Sequence, residues 1–295
     1  MSACRPRSER AGSRVVRAAG LVLAAVLACA GPGHAEAPAR VVSINLCTNQ
    51  LVLMQAALGQ LVSVSRLSQN SRSSAMARQA AALPANSSLA EDVFLYRSDL
   101  VLDGTSIGRA TVSMLRHLEV VELGPAYALA DVRDLLSTAG AALGRARQTE
   151  ATVARFDADL AALCAEIADR PRAALSYANG YTNGDRTLAC DNITAAGFSN
   201  AASELCLVRG GHLPLERLVI TAPDLVVTGQ PQRGAARAEA LLHHPALAAT
   251  GSRHAPTTDR DWICGTPQVP SAVRDMAVAR KALPAETRPQ SGRKR

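Results

Sequence analysis

The chain has 295 residues, 48% hydrophobic and only 3% aromatic, so it supports one large domain or two lobes with aliphatic cores. Its formal charge of +7 is confined to the two ends: residues 1–35 carry five arginines and one acid, residues 284–295 a net +3, and residues 36–283 are neutral. A nucleic-acid surface needs basic residues clustered on a folded face, so no nucleic-acid partner is expected.

Residues 1–35 read as a signal peptide. Arg5, Arg7, Arg10, Arg14 and Arg17 form a basic region, Ala18 to Ala30 is apolar, and Gly33-His34-Ala35 places small residues at −3 and −1 of a cleavage site. The apolar run falls short of the ~20 residues a spanning helix needs. Val26-Leu27-Ala28 before Cys29 offers an alternative, a lipoprotein anchored at Cys29. Either way the body is expected to be exported.

Arg40–Leu46 predicts the first strand, followed by a helix from Cys47 to about Gly59 with Thr48 or Asn49 as N-cap. A strand at 61–65, a polar loop at 68–74 and a helix at 74–83 come next. Helix 88–97, strand 99–102, a turn at Gly104, helix 109–118 and strand 120–123 complete this series. Leu129 to Ala168 contains no proline and has Gly140 and Gly144 as breaks. It predicts one helix packed on the first lobe and a long helix from about Ala146 to Asp169. A second series then begins: strand 172–177, loop 179–186, helix 187–196, a Gly210-Gly211 turn, helix 214–222 and strand 224–227. Helices at 236–242 and 269–283 follow, and the polar stretch 250–261 has no clear assignment.

Strands alternating with helices predict an α/β fold of two lobes, with mostly parallel sheets flanked by helices and joined by one long helix. The expected divisions are an N-terminal lobe at 36–145, a linking helix at 146–170, a C-terminal lobe at 171–284 and a disordered basic tail at 285–295. Ligands of such sheets sit beyond the C-terminal strand ends, where strand order reverses. The candidate cleft loops are therefore 45–49, 66–70, 103–106, 179–186, 229–233 and 259–267.

One phrase occurs twice. Glu91 to Gly104 matches Glu216 to Gly229 at an offset of 125, with five identities: Glu91/Glu216, Asp99/Asp224, Leu100/Leu225, Val101/Val226 and Gly104/Gly229. Four further pairs exchange one apolar residue for another, Leu95/Ile220 among them. An offset that long points to two similar lobes, whereas a solenoid unit would be shorter.

No catalytic constellation stands out: the chain lacks a Gly-x-Ser-x-Gly elbow, a Walker loop, Gly-x-Gly-x-x-Gly and His-Glu-x-x-His. The histidines are scattered without an acidic cluster, so no metal site and no cofactor is expected. After residue 35 five cysteines remain, at 47, 164, 190, 206 and 264. In an exported protein they are disulfide candidates, with one left over. Pairing Cys47 with Cys264 and Cys190 with Cys206 leaves Cys164 free, but spacing alone permits fifteen arrangements of four among five. Trp262, the only tryptophan, lies among polar, turn-forming neighbours, and Tyr181 lies between two Asn/Gly turns. Both are candidates for the cleft as much as for the core.

These pieces resemble the class III periplasmic substrate-binding proteins of ABC importers, those for vitamin B12, iron-siderophores and haem. The resemblance is carried by Val41-Val-Ser-Ile-Asn-Leu-Cys-Thr-Asn-Gln50, by the phrase at 89–102 and its echo at 215–227, by the long helix between them, by Gly180-Tyr-Thr182 and by Trp262-Ile-Cys-Gly265. It implies a rigid linking helix and a periplasmic, monomeric protein that is not an enzyme. It also implies an interlobe cleft for a corrinoid or iron chelate, delivered to a homodimeric membrane permease. Carried over residue by residue, Glu91 and Glu216 become the permease-docking acids and Trp262 a ligand platform. Cys47, Thr48, Asn49, Arg66, Thr105, Tyr181, Thr182 and Asn183 complete the candidate ligand set, with Arg109 and Arg233 available to an anionic ligand. Asn49 stands where close relatives often carry Asp. The competing classes are a periplasmic enzyme on the same scaffold and a zinc- or manganese-binding protein.

Overall fold

Two parallel sheets, one from each half of the chain, organise the protein. The computed structural model describes residues 36–105, 109–163, 170–230, 234, 237–257 and 259–284, and the side chains of 109 and 110 are not described. The signal peptide and tail expected at 1–35 and 285–295 lie outside the described residues, as do Cys164 and Arg233.

The first half runs β1 (Val41–Ser43), α1 (Leu46–Gln55), β2 (Leu61–Ser65), α2 (Ala77–Ala80), β3 (Ala85–Asn86), α3 (Ala90–Leu95), β4 (Leu100–Gly104), α4 (Arg109–Met114) and β5 (Glu119–Leu123). The strands form one parallel sheet in the order β3-β2-β1-β4-β5. Helices α5 (Asp131–Ala142) and α6 (Ala146–Ala161) follow. The second half runs β6 (Arg172–Ser176), β7 (Tyr181–Asn183), α7 (Leu188–Ala195), β8 (Ser199–Asn200), β9 (Gly210–His212), α8 (Leu215–Thr221), β10 (Leu225–Thr228), α9 (Pro245–Ala248), β11 (Arg253–Pro256), α10 (Asp259–Trp262) and α11 (Val269–Lys281). Its parallel sheet has the order β11-β10-β6-β8, and β7 pairs antiparallel with β9.

The inner strands of each sheet are buried on both faces, so Val41-Val42, Leu100–Leu102, Ala173–Leu175 and Leu225–Val227 read as short apolar runs. Side chains still alternate between the faces. Val41, Leu100 and Leu102 join Leu51, Leu136 and Phe156, whereas Val42, Ile44 and Val101 join Val93 and Leu115 on the other side. In the second sheet Ala173, Leu175, Leu225 and Val227 pack with Ile193 and Met276, and Ala174 and Val226 with Leu218 and Leu247.

The repeated phrase supplies one inner strand of each sheet, β4 in the first and β10 in the second. β4 pairs with β1 and β10 with β6. Asp99 Oδ2 accepts hydrogen bonds from the amides of Ala39 and Arg40, both at 2.9 Å, and Asp224 Oδ2 accepts one from Arg172 at 2.7 Å. The two aspartates therefore lock equivalent strand starts. Arg97 and Ala222, also 125 apart, each turn the chain out of its helix in the left-handed region, with φ 46° and 41°.

Several local expectations change. The N-cap of α1 is Asn45, whose side chain accepts from the amides of Cys47 and Thr48; Thr48 and Asn49 already lie inside the helix. Gly144, with φ +68°, breaks the helical stretch, but Gly140 does not. Gly140 lies inside α5, where a Cβ would strike Thr149 Oγ1 and come within 2.8 Å of Gln55 Oε1, so it lets α6 close on α5. Gly210 and Gly211 belong to a strand, having found an antiparallel partner in Asn183 and Thr182. The long helix is described to Ala161; residues 164–169 of its expected course lie outside the described residues. Phe156 sits in the first core, and Leu163 packs against the second.

Asp103 at the end of β4 is buried, opposite Glu122 of β5. Burial pushes its carboxyl up to about 6; the Gly104 amide bond opposes this and Glu122 adds to it. An acid raised in the folded state binds protons more tightly there, so its stabilising contribution is complete below pH ~4 and is lost as pH rises through about 6. Between pH 4.5 and 7 the melting temperature of the native protein should therefore fall relative to that of Asp103→Asn. Parallel curves would show that Asp103 is not the titrating group.

Candidate functional site

Strand order reverses between β1 and β4 in the first sheet and between β6 and β10 in the second. At the first reversal, Asn45 lies over Gly104. A Cβ on Gly104 would come 2.6 Å from Asn45 Nδ2, so only glycine leaves room for the side chain that caps α1. At the second reversal the register of β10 on β6 sets Gly229 beside Tyr177, with 3.6 Å from its Cβ position to a ring carbon. The repeated glycines thus mark equivalent strand ends, and of the two only Gly104 is too crowded for a side chain.

A cavity of about 500 Å³ opens at the second reversal. Its lining has an aromatic floor of Tyr177 and Trp262, the latter largely buried in the second core, with Leu188, Leu242, Ile263, Ala126 and Tyr127 also lining it. The polar groups are Asn183, Thr187, Gln230, Glu239 and Asp259. Trp262 donates its indole N–H to Tyr177 Oη at 2.9 Å. Burial pushes the Tyr177 hydroxyl well above its usual range, so it stays neutral; hydrogen bonds from Trp262 and Asn183 offset part of that rise. Asp259 Oδ1 accepts from Thr257 Oγ1 at 2.9 Å and from the Gln230 amide at 3.4 Å, which ties the loop after β10 to the start of α10. Arg209 stacks over the Tyr127 ring at 4.7 Å.

A smaller cavity of about 120 Å³ lies at the first reversal, lined by Asn45, Cys47, Thr48, Gly104 and Thr105 among others. Ala126 and Ile263 belong to both cavities, so the two are neighbours. The segment 262–268 separates and braces them. Cys264 is disulfide-bonded to Cys47 at the start of α1, across 217 residues of chain. Gly265 packs against Ala126, Val132 and Leu135, and Gln268 Nε2 lies 3.6 Å from Met54 Sδ. Arg72 adds a bond to the Gln230 carbonyl at 3.1 Å. The lobes therefore meet through the same segment that carries the cavity floor.

The sequence-predicted residues divide accordingly. Trp262 and Asn183 line the larger cavity; Cys47, Thr48 and Thr105 line the smaller. Asn49, Arg66, Tyr181 and Thr182 line neither cavity. Asn49 is buried and donates to Ser68 Oγ at 2.6 Å; Thr182 is buried and donates to the Leu175 carbonyl at 2.6 Å. Tyr181 is half exposed, with its hydroxyl over Gly210 of β9. Arg66 is exposed and lies near Asp92. Cys190 and Cys206 are free, which removes the second expected disulfide: Cys190 is buried in α7 beside Thr194 Oγ1, and Cys206 is exposed in a left-handed turn. The side chain of Arg109 is not described. Glu91 and Glu216 are exposed in the first turns of α3 and α8.

Tyr177 and Tyr127 were missed from sequence. Tyr177 follows directly on β6 and Tyr127 lies a few residues beyond β5, so the strand-end rule reaches both once the strand limits are known.

The periplasmic binding protein family model matches residues 41–252. No curated protein sequence matches the chain. Among solved structures, the periplasmic heme-binding protein RhuT from Roseiflexus sp. RS-1 in apo form is 21% identical, with a TM-score of 0.69 over 81% of this chain and 97% of its own. The periplasmic heme-binding protein HutB of Vibrio cholerae is 18% identical, with a TM-score of 0.69 over 81% of this chain and 98% of its own. A periplasmic heme-binding protein from Pseudomonas aeruginosa is 22% identical, with a TM-score of 0.66 over 84% of this chain and 94% of its own. At these identities the likeness establishes the fold.

Closing a loop of 217 residues removes much of the unfolded chain's freedom. Reducing the bridge, or replacing both cysteines by serine, should lower the free energy of unfolding by as much as about 5 kcal/mol. Denaturant titration checks this; an unchanged midpoint would show that the bridge constrains little.

Proposed function

The chain belongs to the periplasmic binding protein family, and from that premise we propose that it captures a planar, haem-class iron chelate on the Trp262–Tyr177 floor and delivers it to an ABC importer. The cavity at the second strand reversal carries this reading. Its volume of about 500 Å³ falls in the ~300–1,000 Å³ range of small-molecule sites. Two aromatic side chains with aliphatic walls suit a flat conjugated ring, because aromatic faces gain from offset stacking as well as from area buried. The haem-binding neighbours share the fold and support the ligand class.

A corrinoid is the second reading. Glu239 and Asp259 bring carboxylates to the cavity, and such groups favour a ligand edged with N–H donors such as amides. In either case the role is capture and release without covalent chemistry. Export by residues 1–35, by cleavage or by an anchor at Cys29, belongs to the same proposal, as do a monomeric carrier and a homodimeric permease.

Docking falls to Glu91 and Glu216. A two-fold permease presents the same basic pocket twice, and a duplicated binder can fill both. Each acid stands in the first turn of its helix, where the macrodipole favours it in any case.

Trp262 is the sole tryptophan, so its emission reports on the floor directly. Titration with hemin should quench it to saturation, with a ferric siderophore ineffective. Quenching by cobalamin alone would transfer the assignment to the corrinoid, and quenching by none would overturn both readings. Glu91→Ala combined with Glu216→Ala should abolish import while leaving hemin affinity within about twofold of the native value. Undiminished uptake by that double variant would remove the docking role.

A further inference from the structure

We propose that Leu95 and Ile220, one on each lobe, are paired apolar anchors that seat in two equivalent hollows of a homodimeric membrane permease. The inference rests on the docking role proposed for Glu91 and Glu216. It adds a second kind of contact and a reason for the pairing.

Leu95 and Ile220 occupy the same place in the repeated phrase, 125 residues apart. They are also among the most exposed large aliphatics of the described residues, at 80% and 77%. An exposed leucine by itself is ordinary. Here the exposure recurs at the matched position, and so does burial two residues earlier: Val93 and Leu218 are both 0% exposed and pin α3 and α8 to their sheets. The repeat has kept an inward and an outward apolar position in each copy.

Helical spacing adds the acid. Glu91 and Leu95 are four apart on α3, and Glu216 and Ile220 four apart on α8, so each aliphatic lies one turn from its glutamate on the same face. Just beyond each helix the chain passes through a left-handed residue, Arg97 or Ala222, to an aspartate that holds the start of the neighbouring strand. The two acid-plus-aliphatic units are therefore presented alike on their sheets.

This chemistry selects the occupant. Each unit calls for a basic side chain beside an apolar hollow, and two equal units call for a partner with two equal sites, as a homodimer provides. A second copy of this chain would bring acid against acid, and an anionic lipid surface would repel both glutamates. Covering a fully exposed leucine or isoleucine is worth about a tenfold gain in association.

The test places benzoylphenylalanine at position 95 or 220 of the full-length chain and irradiates the native host. Both positions should crosslink the same integral membrane polypeptide. In parallel, L95S and I220S should each weaken association with that polypeptide about tenfold, and the double variant about a hundredfold. Hemin and cobalamin titrations of Trp262 should remain at native values in all three. Crosslinks from one position only, to two different polypeptides, to lipid or to a second copy of this chain would overturn the inference. Native-level association of the serine variants would do the same. If the unsubstituted protein bound neither hemin nor cobalamin, the failure would lie with the proposed function and would leave the crosslinking result to stand on its own.

Discussion

The covalent tie between Cys47 and Cys264 is the constraint on which the site depends. Cys47 opens α1, directly after the first strand reversal, and Cys264 follows Trp262 by two residues. Joining them brings the cavity floor of the second lobe against the polar strand end of the first. Gly265 and Gln268 extend the contact along the same segment. Because Ile263 and Ala126 line both cavities, the clasp also sets how the two cavities adjoin.

Around that clasp the lobes follow one plan. In each, the repeated phrase supplies a helix held down by one aliphatic, a turn-out residue in the left-handed region, an aspartate that locks the neighbouring strand start, and a strand that runs to a glycine. The glycines lie at the ligand side, where Asn45 stands beside Gly104 and Tyr177 beside Gly229. The difference between those two residues makes the lobes unequal: Asn45 is consumed in capping α1, whereas Tyr177 joins Trp262 to form a floor. The duplicated architecture thus yields one large cavity with an aromatic pair in its lining and one small cavity without one.

Much of this was legible in the sequence because parallel strands buried on both faces leave short apolar runs, and Val41-Val42, Leu100–Leu102, Ala173–Leu175 and Leu225–Val227 are of that kind. The two-residue strands β3 and β8 carry too little pattern to be seen, and β11, Arg253–Pro256, is an edge strand of mixed composition. Gly210-Gly211 was misread because glycine signals a turn until a partner strand is known, and that partner lies about 29 residues earlier. The site was legible as loops rather than as side chains. Thr182 and Asn49 lie in the expected loops yet are buried, and Tyr177 falls two residues before its loop. Burial is a tertiary property, and no spacing rule distinguishes a loop hydroxyl that donates to a buried carbonyl from one that faces a ligand.

The central claim is that the ligand rests at the strand reversal of the second lobe. A crystal of the oxidised protein grown with hemin, with diffraction recorded at the iron absorption edge, tests it most directly. The account predicts an anomalous iron peak over the Trp262–Tyr177 floor, within the cavity bounded by Tyr127, Leu188 and Ile263. An iron peak at the surface, or one confined to the smaller pocket beside Asn45 and Thr105, would contradict it.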